Sequence, residues 1–260
     1  MALVLKLTLA PALVAAATFV ARRLGNRAAG LVSGLPVVAA PIVLVYAVEQ
    51  GEPFARIAAQ AAVLGIISQV AFCVAYSLVA LRASVWPALA AGWLAFALGT
   101  LALSDVYLSL VTSTLITLAV VAGGAWLVGR LATGTPEDRS GGDLLAWRLL
   151  ITAALVLALT AAAGGLSAHL AGLLVPFPII TAVLAGFTHV RAGGVAAIEL
   201  LSGLLLAMVC FLAFFTVLAA VLTHTGAPAA FAAATGAALA CWGLLVWAGR
   251  RRAAPVAQSP

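Results

Sequence analysis

Residues 29–36 read AGLVSGLP, and residues 171–178, starting 142 positions later, read AGLLVPFP. Each puts proline into an apolar run that is otherwise long enough to cross a membrane. Proline lacks the N–H that an inner helical turn needs and clashes with the turn before it, at a cost of about 3 kcal/mol in a soluble helix. A helix broken twice, in similar words, raises two questions: what surrounds the breaks, and whether the chain repeats itself.

The surroundings are those of a membrane. Of 260 residues, 65% are hydrophobic and 8% charged, with a mean hydropathy of +1.24. A soluble domain is about 45–50% apolar and about 25% charged. The composition therefore predicts an all-α integral membrane protein with the lipid bilayer as its first partner. The net charge of +6 sits in short turns between apolar runs, a topology signal and not a nucleic-acid surface. Cys73, Cys210 and Cys241 all lie inside apolar runs without metal-ligand or disulfide spacing. The opening MALVLKLTLAPALVAAATFVARRLG has its positive cluster after the apolar run, so it reads as a retained first membrane helix, not a cleaved signal.

At about 20 residues per crossing, nine spans are expected: 3–21, 30–48, 57–81, 86–104, 107–129, 147–168, 171–188, 195–222 and 228–249. GTPEDRSGGD, 134–143, is the long polar connection. Loops after odd-numbered spans, with the C-terminus, carry Arg22, Arg23, Arg27, Arg82, Arg130, Arg139, Arg148, Arg191, Arg250, Arg251 and Arg252, while the other side carries Lys6 and Arg56. The positive-inside rule then puts the N-terminus outside and the C-terminus in the cytoplasm.

Laid over each other at the 142-residue offset, the first and last four spans pair Lys6 with Arg148, Thr18 with Thr160, Gly30 with Gly172 and Pro36 with Pro178. Farther on, FCVAYSLVA (72–80) matches FLAFFTVLA (211–219) after a three-residue gap, which pairs Gln60 with Glu199. One span separates the copies, so the second starts five crossings after the first and runs the opposite way. The expectation is two four-helix inverted-topology repeats, 1–106 and 147–250, joined by a linking helix (107–132) and a cytoplasmic polar linker (133–146), with a cytoplasmic tail at 251–260.

The second half, from Trp147 to Trp247, resembles GlpM-type proteins in AGLLVPFPIITAVL, in the turn with Arg191 and Gly193, and in ACWG at 240–243. These are small four-helix proteins of the bacterial inner membrane. The resemblance implies a fused tandem of two such units in that membrane. It implies no substrate, and links the family to exopolysaccharide production only loosely.

Backbone groups freed around Ser33, Gly34, Pro36 and Pro41, and around Pro176, Pro178 and Thr181, are candidates for substrate binding, because paired broken helices mark transporter sites. The alternative is a kink that only shapes packing. Glu199 is the one acid inside an expected span; it either serves such a site or reaches the interface beside Arg191. Gln69, with Ser68, lies deeper in the third span, where a buried amide usually bonds across a helix interface and less often lines a pore. The hydroxyls of SLVTSTLIT (109–117) read as packing groups. His169, His189 and His224 fall in separate turns, and no catalytic, nucleotide or metal motif emerges. No enzyme, metal or cofactor is therefore expected. The first functional reading is a secondary transporter or permease for a small solute, with a site between the inverted repeats. The second is a non-transporting accessory or scaffold protein of envelope or exopolysaccharide synthesis; a membrane enzyme acting on lipids comes third. A homodimer or an envelope complex completes the partner classes.

Overall fold

The structure is a computed structural model that describes residues 19, 23, 25–36, 39–133 and 165–253, the side chains of 250–253 excepted. Its regular elements are all helices: α1 (Asn26–Ser33), α2 (Ala39–Glu49), α3 (Glu52–Ala80), α4 (Val85–Leu103), α5 (Leu110–Leu131), α6 (Ala168–Leu173), α7 (Ile179–Thr225) and α8 (Ala227–Ala253). Five of them, α3, α4, α5, α7 and α8, are long and apolar enough to cross a membrane. The expected span 3–21, most of 147–168, the connection 134–143 and most of the tail lie outside the described residues.

The expected second and seventh spans are not continuous helices. α1 stops at Ser33 and the chain turns through Gly34–Pro36 before α2; α6 stops at Leu173 and turns through Leu174–Pro178 before α7. The turns tighten where proline leaves a bond unmade. Leu35 N donates to the Val32 carbonyl at 3.3 Å, and Val175 N and Phe177 N donate to the carbonyls of Gly172 and Leu174 at 2.9 and 3.0 Å. At both breaks the new helix hangs from a proline carbonyl: Ala40 N donates to Pro36 O and Ala182 N to Pro178 O, each at 2.9 Å. Pro41 breaks nothing, since it stands in the first turn of α2, where a missing N–H costs little.

The expected seventh and eighth spans are joined in α7 but divided at Gly193, whose φ of 81° and ψ of 173° interrupt the helix. Gly51, with φ 90°, makes the corresponding junction between α2 and α3. Only glycine adopts this backbone cheaply.

At the centre, α3 and the 194–225 stretch of α7 run antiparallel. A Cβ on Gly194 would collide with the Ala80 carbonyl, and at the opposite end Glu52 Oε1 accepts from Ala227 N at 2.9 Å. The 29 residues of α3 reach about 44 Å at 1.5 Å per residue, more than the roughly 30 Å of hydrocarbon. α5 lies along both partners: Thr117 Oγ1 donates to the Val63 carbonyl at 3.1 Å, and the hydroxyls of Thr114 and Thr216 are 3.1 Å apart. Phe72, Tyr76, Phe96, Phe214 and Phe215 fill the interior, while Leu94, Leu98, Leu101, Val111, Leu115, Leu239 and Leu244 are exposed. That outer surface suits lipid, not water, and fits a multi-pass membrane protein.

Small residues decide where the pieces touch. Gly30 sits on the Leu200 carbonyl and Gly172 on the Ala58 carbonyl, with no room for a Cβ in either case. Gly34 packs against Ala207, and Gly65 against Pro176. Gly30 and Gly172, Ala58 and Leu200, Gly65 and Ala207, and Gly34 and Pro176 are each 142 residues apart, as are the starts of α4 and α8. The register therefore holds at 142, and the expected three-residue gap is absent. Gln60 corresponds to Ser202, not to Glu199. Three residues are close to one helical turn, so a slipped alignment still matches apolar face to apolar face.

Candidate functional site

Each break docks on the long helix of the other half: the first on α7 at Leu204–Ala207, the second on α3 near Ala61–Gly65. Their surroundings differ. At the second, Gln69 Nε2 donates to Thr181 Oγ1 at 2.8 Å, a bond between the middle of α3 and the first turn of α7. Two turns on, the Tyr76 hydroxyl meets His189 Nδ1 at 3.0 Å. Gln69 and Tyr76 share a face of α3, seven residues apart, and Thr181 and His189 share a face of α7, eight apart. The two bonds form the rungs of a buried polar ladder.

Aromatic rings close around it. Phe177, in the break itself, lies edge-on to Trp93 and Phe96 of α4 at 4.9 and 5.2 Å between ring centres. Phe72 stacks on Tyr76 at 6.0 Å, and Gly92 leaves the space that the Phe72 ring enters. Several polar atoms here lack a hydrogen-bond partner: Gln69 Oε1, Ser68 Oγ, Ser77 Oγ and Thr100 Oγ1. Gln69 is only 3% exposed, and an unsatisfied buried acceptor costs about 1–3 kcal/mol.

At the first break, Ser33 Oγ donates to the Ala29 carbonyl of its own helix at 2.8 Å, so its hydroxyl is spent locally. Gly34 serves close packing, Pro36 is buried, and the positions matching Gln69, Tyr76, Phe177 and Thr181 are Phe211, Leu218, Leu35 and Ala39. Of the residues singled out in the sequence, Gln69, Thr181, Pro176 and Pro178 gather around the second break, and Ser33, Gly34 and Pro36 form the first. Glu199 belongs to neither: half-buried, it accepts from Asn26 Nδ2 at 3.4 Å and lines a cleft with Gly25, Asn26, Arg27, Gly129, Ala132 and Ser202.

The sequence does not single out Tyr76, Trp93, Phe96 and Phe177 or give His189 a role, although polar residues seven or eight apart on apolar helices were the available signal. His189 lies buried inside α7, not in a turn. Cys210 and Cys241, far apart in sequence, bring their thiols together across α7 and α8. Among the described residues no group of three His, Cys, Asp or Glu side chains is arranged to hold a metal. Compared with known families, curated proteins and solved structures, the chain matches none.

Proposed function

We propose that this chain is a secondary transporter for a small solute, built from two inverted four-helix repeats joined by α5. The observation that carries the reading is the pair of broken helices, each docked on the antiparallel long helix of the other half at positions 142 residues apart. A pseudo-two-fold axis through α5 accounts for its contacts as well. Val63 meets Thr117 near the start of that helix, and Leu205, 142 residues on, lies near Gly124 toward its end. Discontinuous helices at related positions of inverted repeats are where transporters hold their substrates.

The site is the second break, with Gln69 Oε1, Ser68 and Thr100 as free hydrogen-bonding groups, Thr181 held by Gln69, and Phe177, Trp93 and Phe96 as apolar walls. No Asp, Glu, Lys or Arg belongs to this group, which favours an uncharged solute with hydrogen-bonding and apolar parts. The orientation belongs to the same proposal. Arg27 and Arg130, with the Arg82 and Arg191 ends that meet at Ala80 and Gly194, mark a basic end, which is cytoplasmic. The resemblance of the second half to GlpM-type proteins fits the proposal as a tandem of two such units.

Reconstituted vesicles tested with a panel of neutral solutes should show saturable uptake of one class, with the same class raising the thermal midpoint of the purified chain. No uptake and no shift across the panel overturns the transport reading. A reporter at residue 138 should read as cytoplasmic; an external signal removes the orientation.

A further inference from the structure

Among the described residues, the cleft at the basic end is a second place where polar groups line open space, about 250 Å³ of it. Glu199 and Ser202 stand on its α7 wall, Asn26 and Arg27 on its α1 wall, and Gly129 and Ala132 at the end of α5. Residues 142 positions away show what fills the matching place in the other half. There His169, the counterpart of Arg27, donates to the Leu103 carbonyl at 3.2 Å and stacks on Tyr107 at 4.4 Å between ring centres. Gln60, the counterpart of Ser202, donates to the Leu108 carbonyl at 2.7 Å. The segment leading into α5 plugs that end. Among the described residues, the trailing end of α5 lines the cleft with Gly129 and Ala132, and a Cβ on Gly129 would meet nothing within 4 Å.

We propose that this cleft binds a zwitterion, with its ammonium on Glu199 and its oxyanion on Arg27 and the first turn of α1. The charges decide the class. A simple anion would face the Glu199 carboxylate and a simple cation the Arg27 guanidinium, whereas a group carrying both signs satisfies both walls. Asn26 holds the carboxylate in place from one side. α1 starts at Gly25 without a side-chain cap, so its leading N–H groups add to the attraction for an oxyanion. The depth suits a headgroup: Arg130 lies 4.2 Å over the exposed Trp126 ring at the same end, an anchor of the membrane interface. The zwitterion comes either from a phosphoethanolamine lipid or from a free solute of that chemistry. This binding does not depend on transport through the second break.

The test uses the full chain in nanodiscs. Retention of phosphatidylethanolamine against phosphatidylglycerol is read by native mass spectrometry, and soluble glycerophosphoethanolamine is titrated as a competitor. The wild type is expected to prefer the ethanolamine lipid about tenfold. Competition by the soluble compound assigns the site to free solutes as well, and lack of competition assigns it to lipid; both support a zwitterion site. Glu199→Gln should abolish the preference. Gly129→Leu, which enters open space, should abolish it while leaving the thermal midpoint within a few degrees of the wild type. Equal retention of the two lipids with no saturable binding of the soluble compound overturns the proposal. So does a preference that survives both substitutions. Solute uptake enters neither outcome, so the transport reading stands or falls separately.

Discussion

The two breaks share a backbone and differ in what faces it. Both restart a helix from a proline carbonyl, at Pro36 and at Pro178, and both press glycine against a backbone carbonyl on the opposite long helix, Gly30 on Leu200 and Gly172 on Ala58. Yet the second is flanked by Gln69, Thr181, Tyr76 and His189, and the first by Phe211, Ala39, Leu218 and Ala47 at the matching positions. Backbone geometry is thus common to both breaks, while polarity belongs to one of them. A scaffold needs only the first property; a binding site needs the second.

The shared part breaks most severely. Gly172→Val and Gly30→Val each drive a side chain into a backbone carbonyl that cannot step aside, and each should lose several kcal/mol, seen as collapse of monodisperse yield after extraction. If only one of the pair is damaging, the two docking contacts are not equivalent. The unshared part should break activity before stability. Gln69→Leu removes the unpartnered Oε1 together with the Nε2 bond to Thr181, so stability should fall by one interhelical bond, about 0.6–1.7 kcal/mol, while uptake is lost altogether. Uptake that persists would sharpen the comparison against the second break. Tyr76→Phe deletes one rung of the ladder at about 0.6–1.7 kcal/mol, measured as a drop in thermal midpoint. Ser33→Ala, at the first break, gives up only a bond within its own helix and should change stability by less than about 0.5 kcal/mol and uptake not at all.

The membrane class and the helical content were legible because apolar length is a local property. So was the existence of both breaks, because proline acts on its own turn. The bounds of α4 and α5 fall within three residues of their expected spans. The division at Gly193 was legible as the turn between the expected spans 171–188 and 195–222; that helix continues on both sides of a single positive-φ glycine was not. The expected gap before Gln60 failed because apolar helices compared in sequence tolerate a slip of nearly one turn, and only carbonyls packed on particular glycines reveal the register.

The sequence by itself therefore determined that the chain lives in a bilayer, where its helices break, and that one word recurs 142 residues later. These follow from hydrophobic length and proline chemistry, which act within a few residues. Tertiary structure alone decided which polar residues meet. It brought Gln69 to Thr181 and Tyr76 to His189, across 112 and 113 residues of chain, and it drew Glu199 away from the breaks to a cleft beside Arg27. Hydrogen bonds and clefts form between helices, and the pairing of helices depends on shape complementarity over the whole bundle, a property no single stretch of sequence carries.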